Sequence, residues 1–243
     1  LVVEQAPLHQ KAKIPNSSNY HIFTLSAKNK TSLLGILQRY QNHINHNTDI
    51  AALCYTSQLS RDHHRYRLAA HIDSLQSLRI FIEQSISKLN KADTTYINSL
   101  TSSTDSIKPT FLFTGQGSQY AGMGAELYQQ IPSFKHHVDT CDHMFASYYE
   151  NVSIKDIMLG LSHNSDTLIH QTQFAQPTLF TLEYAMAMTL IEWGIQPTVL
   201  IGHSIGEITA ACVAGLFSLY DAVKIVSKRA QLMQSVKQAG SMT

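Results

Sequence analysis

Thr198-Val199-Leu200-Ile201-Gly202-His203-Ser204-Ile205-Gly206 is the stretch on which the reading of this chain turns. Its first four residues have the character of a short buried strand, and helical sequence takes over from about residue 206. Between the two stands G-x-S-x-G. A strand before that pattern and a helix after it form the setting in which it makes a sharp bend with the serine at its tip. At such a bend the backbone passes close to its neighbours, so side chains at Gly202 or Gly206 would collide. Bare of its context the pattern is weak. With Gly and Ser each at roughly 7% of residues, it arises by chance in about 8% of chains this long.

Working outward, Thr110-Phe111-Leu112-Phe113-Thr114 reads as another short apolar strand, running into Gly115-Gln116-Gly117. A long helical pattern over residues 177 to 193 separates the two strands. Strands alternating with helices predict an α/β fold with a parallel sheet covered on both faces. Further upstream, His21 to Ala27 and Tyr66 to Ile72 have strand character. Leu33, Leu34, Leu37, Tyr40 and Ile44 place a helix over 31 to 45 behind a Thr31 cap, and a second helix covers about 49 to 60. Leu75, Leu78, Ile82, Ile86 and Leu89 give a third. Residues 20 to 107 therefore form a small α+β module. Pro7, Pro15 and the run Asn16-Ser17-Ser18-Asn19 mark residues 1 to 19 as a linker, and apolar periodicity fades over 90 to 109. The boundary falls near residue 108, leaving 108 to 243 for the α/β part.

Composition removes several classes of function. The 243 residues are 44% hydrophobic and 14% charged, with 18 Lys and Arg against 17 Asp and Glu. A net charge of +1 supplies no basic field for a nucleic acid. Cys54, Cys141 and Cys212 lie too far apart for a zinc site or a disulfide framework, which fits a reducing cytoplasm. No apolar run is long enough to span a membrane, and the start Leu1-Val2-Val3-Glu4-Gln5-Ala6-Pro7 lacks the cationic and apolar regions expected of a signal peptide. The first residue is Leu1 rather than Met, which reads as a piece of something longer.

The chemistry follows from the serine. A serine hydroxyl is a weak nucleophile at neutral pH and needs a base as it attacks, while the oxyanion that forms needs donors. The backbone N–H of Ile205 is placed for that by the bend itself. The loop Gly115-Gln116-Gly117-Ser118-Gln119 could supply a second donor, at the carboxyl end of the other strand, where ligands bind in such sheets. Read alone, the same loop also fits an ordinary strand-to-helix turn.

Phe113-Thr114-Gly115-Gln116-Gly117-Ser118-Gln119-Tyr120, then Phe174-Ala175-Gln176-Pro177, then Gly202-His203-Ser204-Ile205-Gly206-Glu207 resemble the ordered motifs of the acyltransferase domain of type I polyketide synthases. Malonyl-CoA:acyl-carrier-protein transacylases are similar. Residues 20 to 107 resemble the linker between ketosynthase and acyltransferase domains, and Val3-Glu4-Gln5-Ala6-Pro7 resembles a ketosynthase tail. The resemblance implies an α/β-hydrolase-like large subdomain, incomplete here, in which Ser204 carries the acyl group and the amides of Gln116 and Ile205 form the oxyanion hole. It implies that Arg229, in Lys228-Arg229-Ala230-Gln231-Leu232-Met233, binds the substrate carboxylate. A planar guanidinium suits a carboxylate through two parallel bonds. Gln176 supports the site, and His203 is expected to pack and steady the bend. The substrate implied is malonyl-CoA, with the phosphopantetheine of an acyl carrier protein as acceptor, no covalently bound cofactor, and a ketosynthase in the same polypeptide. Apolar Ile205 after the serine, with the stretch Gln173 to Pro177, resembles malonyl-selective members.

The family's base is a histidine about a hundred residues past the serine, beyond Thr243. His203 adjoins the serine and should point away from its hydroxyl, while His63, His64, His71, His136, His137 and His143 are expected in solvated or structural roles, with no metal site. The expectation is an inactive or very slow fragment with an exposed apolar face on the helices around Ser204, where part of their cover is missing. A serine esterase and a non-catalytic spacer of a megasynthase are the competing readings.

Overall fold

The structure, a computed structural model, describes residues 21–91, 93–101, 108–150 and 152–236. The linker and tail expected over residues 1 to 19 lie outside the described residues. The chain divides into two compact units, Leu1–Ser106 and Ile107–Thr243.

In the first unit the elements run β1 (His21–Ala27), α1 (Lys30–His43), α2 (Ile50–Leu59), β2 (Tyr66–Ile72), α3 (Leu75–Asn90) and α4 (Thr94–Ser99). Strands β1 and β2 pair antiparallel, from His21 opposite Ile72 to Ala27 opposite Tyr66. Alternation sends Phe23, Leu25, Ala27, Leu68 and Ile72 inward, where they meet Leu33 and Leu37 of α1 and Leu78, Ile82 and Leu89 of α3. The cap of α1 is Asn29, two residues before the expected Thr31. Its extended backbone lets the side-chain oxygen accept from the Ser32 amide at 2.8 Å. Helix α4 falls where no periodicity was visible. It forms because the Asp93 carboxylate accepts from the Tyr96 amide, Tyr96 donates to Ser85, and Leu100 enters the core behind it.

The second unit runs β3 (Thr110–Phe113), α5 (Ala125–Gln130), α6 (Pro132–Phe145), α7 (Ile154–Met158), α8 (Ser165–Leu168), α9 (Thr172–Glu192), β4 (Val199–Gly202), α10 (Ile205–Val213) and α11 (Leu219–Ser235). Strands β3 and β4 pair in parallel, Thr110 opposite Val199 through Phe113 opposite Gly202. Helix α9 is the axis of the unit, with α6, α7, α10 and α11 packed around it. That is why its apolar residues go all round instead of forming one stripe. It begins at Thr172, a full turn before the expected start at residue 177, so Pro177 lies inside it.

The expected cover on both faces of the sheet is not what the described residues show. Phe111, Phe113 and Leu200 pack on Ala187 of α9 and on Ala210 and Val213 of α10. On the other face Leu112 is 72% and Ile201 52% exposed. This open face belongs to the sheet, whereas the apolar exposure expected from sequence was on the helices around Ser204. Among the described residues, no helix is long and apolar enough to cross a membrane.

Candidate active site

The bend after β4 is strained. Ser204 has φ 56° and ψ −111°, and among the described residues it is the one non-glycine with positive φ. Such a conformation costs on the order of 1–3 kcal/mol and persists only where its surroundings enforce it. They do so through three backbone bonds: His203 N–H to Phe113 O (3.1 Å), Gly206 N–H to His203 O (3.0 Å) and Glu207 N–H to Ser204 O (3.2 Å). A Cβ at Gly202 would fall far inside contact distance of Gly206 and the Glu207 amide, and one at Gly206 would strike the carbonyls of Phe113 and Thr114. The collisions expected from sequence are therefore built into the bend.

The loop after β3 runs beside it. A Cβ at Gly115 would meet the His203 ring, so glycine there is what lets the two loops touch. Side chains fix the loop: Gln116 Nε2 donates to Thr172 Oγ1 at 3.1 Å, and the Gly117 amide donates to Gln119 Oε1 at 2.7 Å. The backbone amides of Gln116 and Ile205 have no hydrogen-bond partner among the described residues. Ile205 opens α10, where the first amides have no partner within the helix, and Gln116 is exposed on its loop, so both donors are free for an anionic ligand.

Arg229 reaches the serine from α11. Its Nη2 donates to Ser204 Oγ at 3.0 Å and its Nη1 donates to Gln176 Oε1. Gln176, fully buried in the first turns of α9, donates in turn to Met233 Sδ at 3.2 Å, one helical turn past Arg229. Among the described residues Arg229 has no carboxylate partner. A half-buried guanidinium without a counter-charge beside a strained serine is suited to a carboxylate brought by a ligand.

His203 lies at the junction of the two loops. Its ring lies against Gly115, but the residue is exposed and does not pack into a core. No histidine is bonded to Ser204 Oγ among the described residues; His137 instead pairs with Glu192 at 2.8 Å. The thiols are no rival nucleophiles, because burial pushes Cys54 and Cys212 up to about 11 and Cys141 further still.

One residue went unnoticed in the sequence. Glu183, midway along α9, accepts from both the amide (2.6 Å) and the hydroxyl (2.7 Å) of Thr114, where β3 passes into the Gln116 loop. Burial raises its pKa, and the Thr114 bonds only partly offset that. The one available signal was a carboxylate within an otherwise apolar helix.

The acyl transferase domain family matches residues 110–243, more than half the chain. The chain belongs to that family. A second match, to the C-terminal region of CurL-like polyketide synthases, covers residues 21–81. Among curated relatives, the non-reducing polyketide synthase rdc1 of Metacordyceps chlamydosporia is 34% identical over 94% of this chain and 10% of its own length. The non-reducing polyketide synthase hmp3 of Hypomyces subiculosus is 36% identical over 88% of this chain and 10% of its own. This acyl transferase sequence thus spans about a tenth of those relatives. Among solved structures, the acyl transferase domain of ZmaA superposes with a TM-score of 0.78 at 35% identity, covering 90% of this chain and 50% of that one. The acyltransferase domain from module 8 of the salinomycin polyketide synthase gives 0.69 at 26% identity, over 90% and 51%.

Proposed function

We propose that this acyl transferase region moves a malonyl-type group from coenzyme A to the phosphopantetheine thiol of an acyl carrier protein, within a polyketide synthase that also carries a ketosynthase. The observation that carries this reading is the 3.0 Å bond from Arg229 to Ser204 Oγ, with Gln176 holding the other arm of the guanidinium.

Ser204 Oγ attacks the thioester carbonyl as its proton passes to a base. The negative oxygen of the tetrahedral intermediate is taken by the unpartnered amides of Ile205 and Gln116. Collapse breaks the carbon–sulfur bond, the coenzyme A thiolate leaves and is protonated, and the acyl group remains as a seryl ester. Attack by the carrier-protein thiol reverses these steps. Throughout, the free carboxylate of a malonyl group lies against Arg229, which releases Ser204 Oγ as it turns to that stronger acceptor. An acetyl group offers nothing to hold, so selection of malonyl-CoA follows, and apolar Ile205 agrees with it. A guanidinium donates only and cannot be the base. Since no base contacts Ser204 among the described residues, the 243 residues alone should acylate slowly, and the full synthase should be used for tests. A cytoplasmic location suits coenzyme A thioesters and the buried free thiols.

Intact-mass analysis of the full synthase after mixing with malonyl-CoA should show one malonyl ester, lost in Ser204→Ala. Absence of an ester on the wild-type protein would sink the proposal.

A further inference from the structure

We propose that Glu183 is a positioning residue for acyl transfer: its buried carboxylate anchors the Gln116 loop to α9 and sets the direction of the Gln116 amide. This rests on the reading of that amide as an oxyanion donor.

The hydrogen bonds bracket a single peptide plane. Glu183 Oε1 accepts from the Thr114 amide at 2.6 Å and from Thr114 Oγ1 at 2.7 Å. With the Thr114 proton committed to the carboxylate, Ser118 Oγ, 2.9 Å from Thr114 Oγ1, shares its own proton between that oxygen and Gly115 O at 3.2 Å. Gly115 O belongs to the same peptide unit as the Gln116 N–H. A trans peptide is planar, with its C=O and N–H pointing in opposite directions, so fixing one aims the other. The chain of contacts therefore runs from Glu183 through Thr114 and Ser118 to the proposed donor, with no step through the substrate.

A carboxylate is an expensive choice for a mere packing role. Glu183 Oε2 is buried with no hydrogen-bond partner among the described residues, and so is Thr209 Oγ1. Thr209 faces the carboxyl closely enough to favour its ionisation, yet the pair falls outside hydrogen-bonding geometry. An apolar residue here would avoid the burial penalty that raises the Glu183 pKa. What it could not do is accept two bonds from Thr114. Loop positioning at the site accounts for a charge-bearing group within an apolar helix.

The test compares the full synthase with its Glu183→Ala, Glu183→Gln and Thr114→Val variants, with malonyl-CoA as donor. Rates are expressed per site that accepts a malonyl ester, which removes any unfolded fraction. Removing an oxyanion donor outright lowers kcat about 100- to 1000-fold. A misaimed donor should give less, so Glu183→Ala is expected to lose roughly 10- to 100-fold in kcat with KM for malonyl-CoA nearly unchanged. Glu183→Gln keeps an Oε1 acceptor and should recover to within about 5-fold of wild type. Thr114→Val keeps the amide bond but loses the hydroxyl relay, and should fall between them. It carries the test should Glu183→Ala not fold. An unchanged kcat per acylated site in Glu183→Ala or Thr114→Val overturns the inference, as does a Glu183→Gln variant no better than Glu183→Ala. If the wild-type protein takes no ester, it is the reading of Ser204 and Gln116 that has failed, and the two failures are thereby told apart.

Discussion

Arg229, on α11, and Ser204, on the bend before α10, lie 25 positions apart (229 − 204), and the guanidinium of one donates to the hydroxyl of the other at 3.0 Å. Helix α10 starts at the bend, and the turn after it returns α11 antiparallel beside α9, so that Arg229 arrives opposite Gln176. On the proposed mechanism, Ser204 is thus paired with a cation it does not need for its own reactivity. A ligand carboxylate gives that cation a purpose.

The first prediction tests this pairing by selectivity. Arg229→Ala in the full synthase should lose about 100-fold in kcat/KM for malonyl-CoA while acetyl-CoA transfer changes little, since charge-assisted bonds to a carboxylate contribute about 1.5–3 kcal/mol each. Arg229→Lys should recover only a small part of the loss, because a point charge cannot hold both Gln176 and a carboxylate in one plane. Competition between the two thioesters, read by mass of the seryl ester, checks it. Unchanged preference in Arg229→Ala would remove the clamp from the mechanism.

The second concerns the glycines. Gly206→Ala drives a methyl into the Phe113 and Thr114 carbonyls, and backbone cannot step aside as a flexible side chain can. We expect a loss of about 3 kcal/mol in unfolding free energy. Gly35→Ala is the contrast. Gly35 lies within α1 with open space around its missing Cβ, so the change should stabilise its unit by roughly 0.5–1 kcal/mol. Urea midpoints of the two variants should move in opposite directions.

These cases show which features the sequence made legible. The bend at Ser204 could be read because strand, glycines and helix are contiguous, and each follows from local sterics. Arg229 could not be found that way: on its own helix it is one charge among several, and only resemblance to a family singled it out. Glu183 was missed because its partner Thr114 is 69 positions away (183 − 114), and sequence spacing carries no record of such a contact. Helix α9 begins earlier than its sequence pattern predicts because Pro177 looks like a first-turn residue, whereas the buried packing of Phe174 to Thr178 carries the helix through it. The open face of the sheet escaped for a related reason: alternation in β3 and β4 marks two faces but not how many neighbours each has.

The third prediction is a pH dependence. Burial opposes ionisation of Asp139, but bonds from Lys135 (2.8 Å), Tyr128 (2.6 Å) and Lys155 (3.0 Å) override it and hold the carboxyl down to about 2. A folded-state pKa below the unfolded value of roughly 3.9 means the network stabilises the fold above that pH, and the contribution fades as pH falls toward 2. The side chain is 38% exposed, so solvent screening limits the contribution to about 1 kcal/mol. Asp139→Asn should be less stable than wild type by that amount near neutrality, and the gap should close between roughly pH 4 and pH 2. Urea melts across that range measure it, and a gap that persisted at pH 2 would assign the difference to something other than ionisation.

The fourth separates strain from chemistry at one position. Ser204 holds φ 56° and ψ −111°, a conformation that costs any residue with a Cβ on the order of 1–3 kcal/mol and glycine little. Ser204→Gly removes the strain but gives the unfolded chain more freedom, at a cost of roughly 0.5–1 kcal/mol, leaving a net gain of about 1 kcal/mol. Ser204→Ala keeps the Cβ and therefore the strain, and it loses only the bond from Arg229, whose other arm stays on Gln176. Neither variant can form the seryl ester. Thermal melts should then rank Ser204→Gly above wild type and Ser204→Ala near it, two inactive proteins of unequal stability. A glycine variant melting below the alanine variant, by the roughly 0.5–1 kcal/mol of added unfolded-state freedom, would mean that the bend stores no strain, and that the serine sits there for its hydroxyl alone.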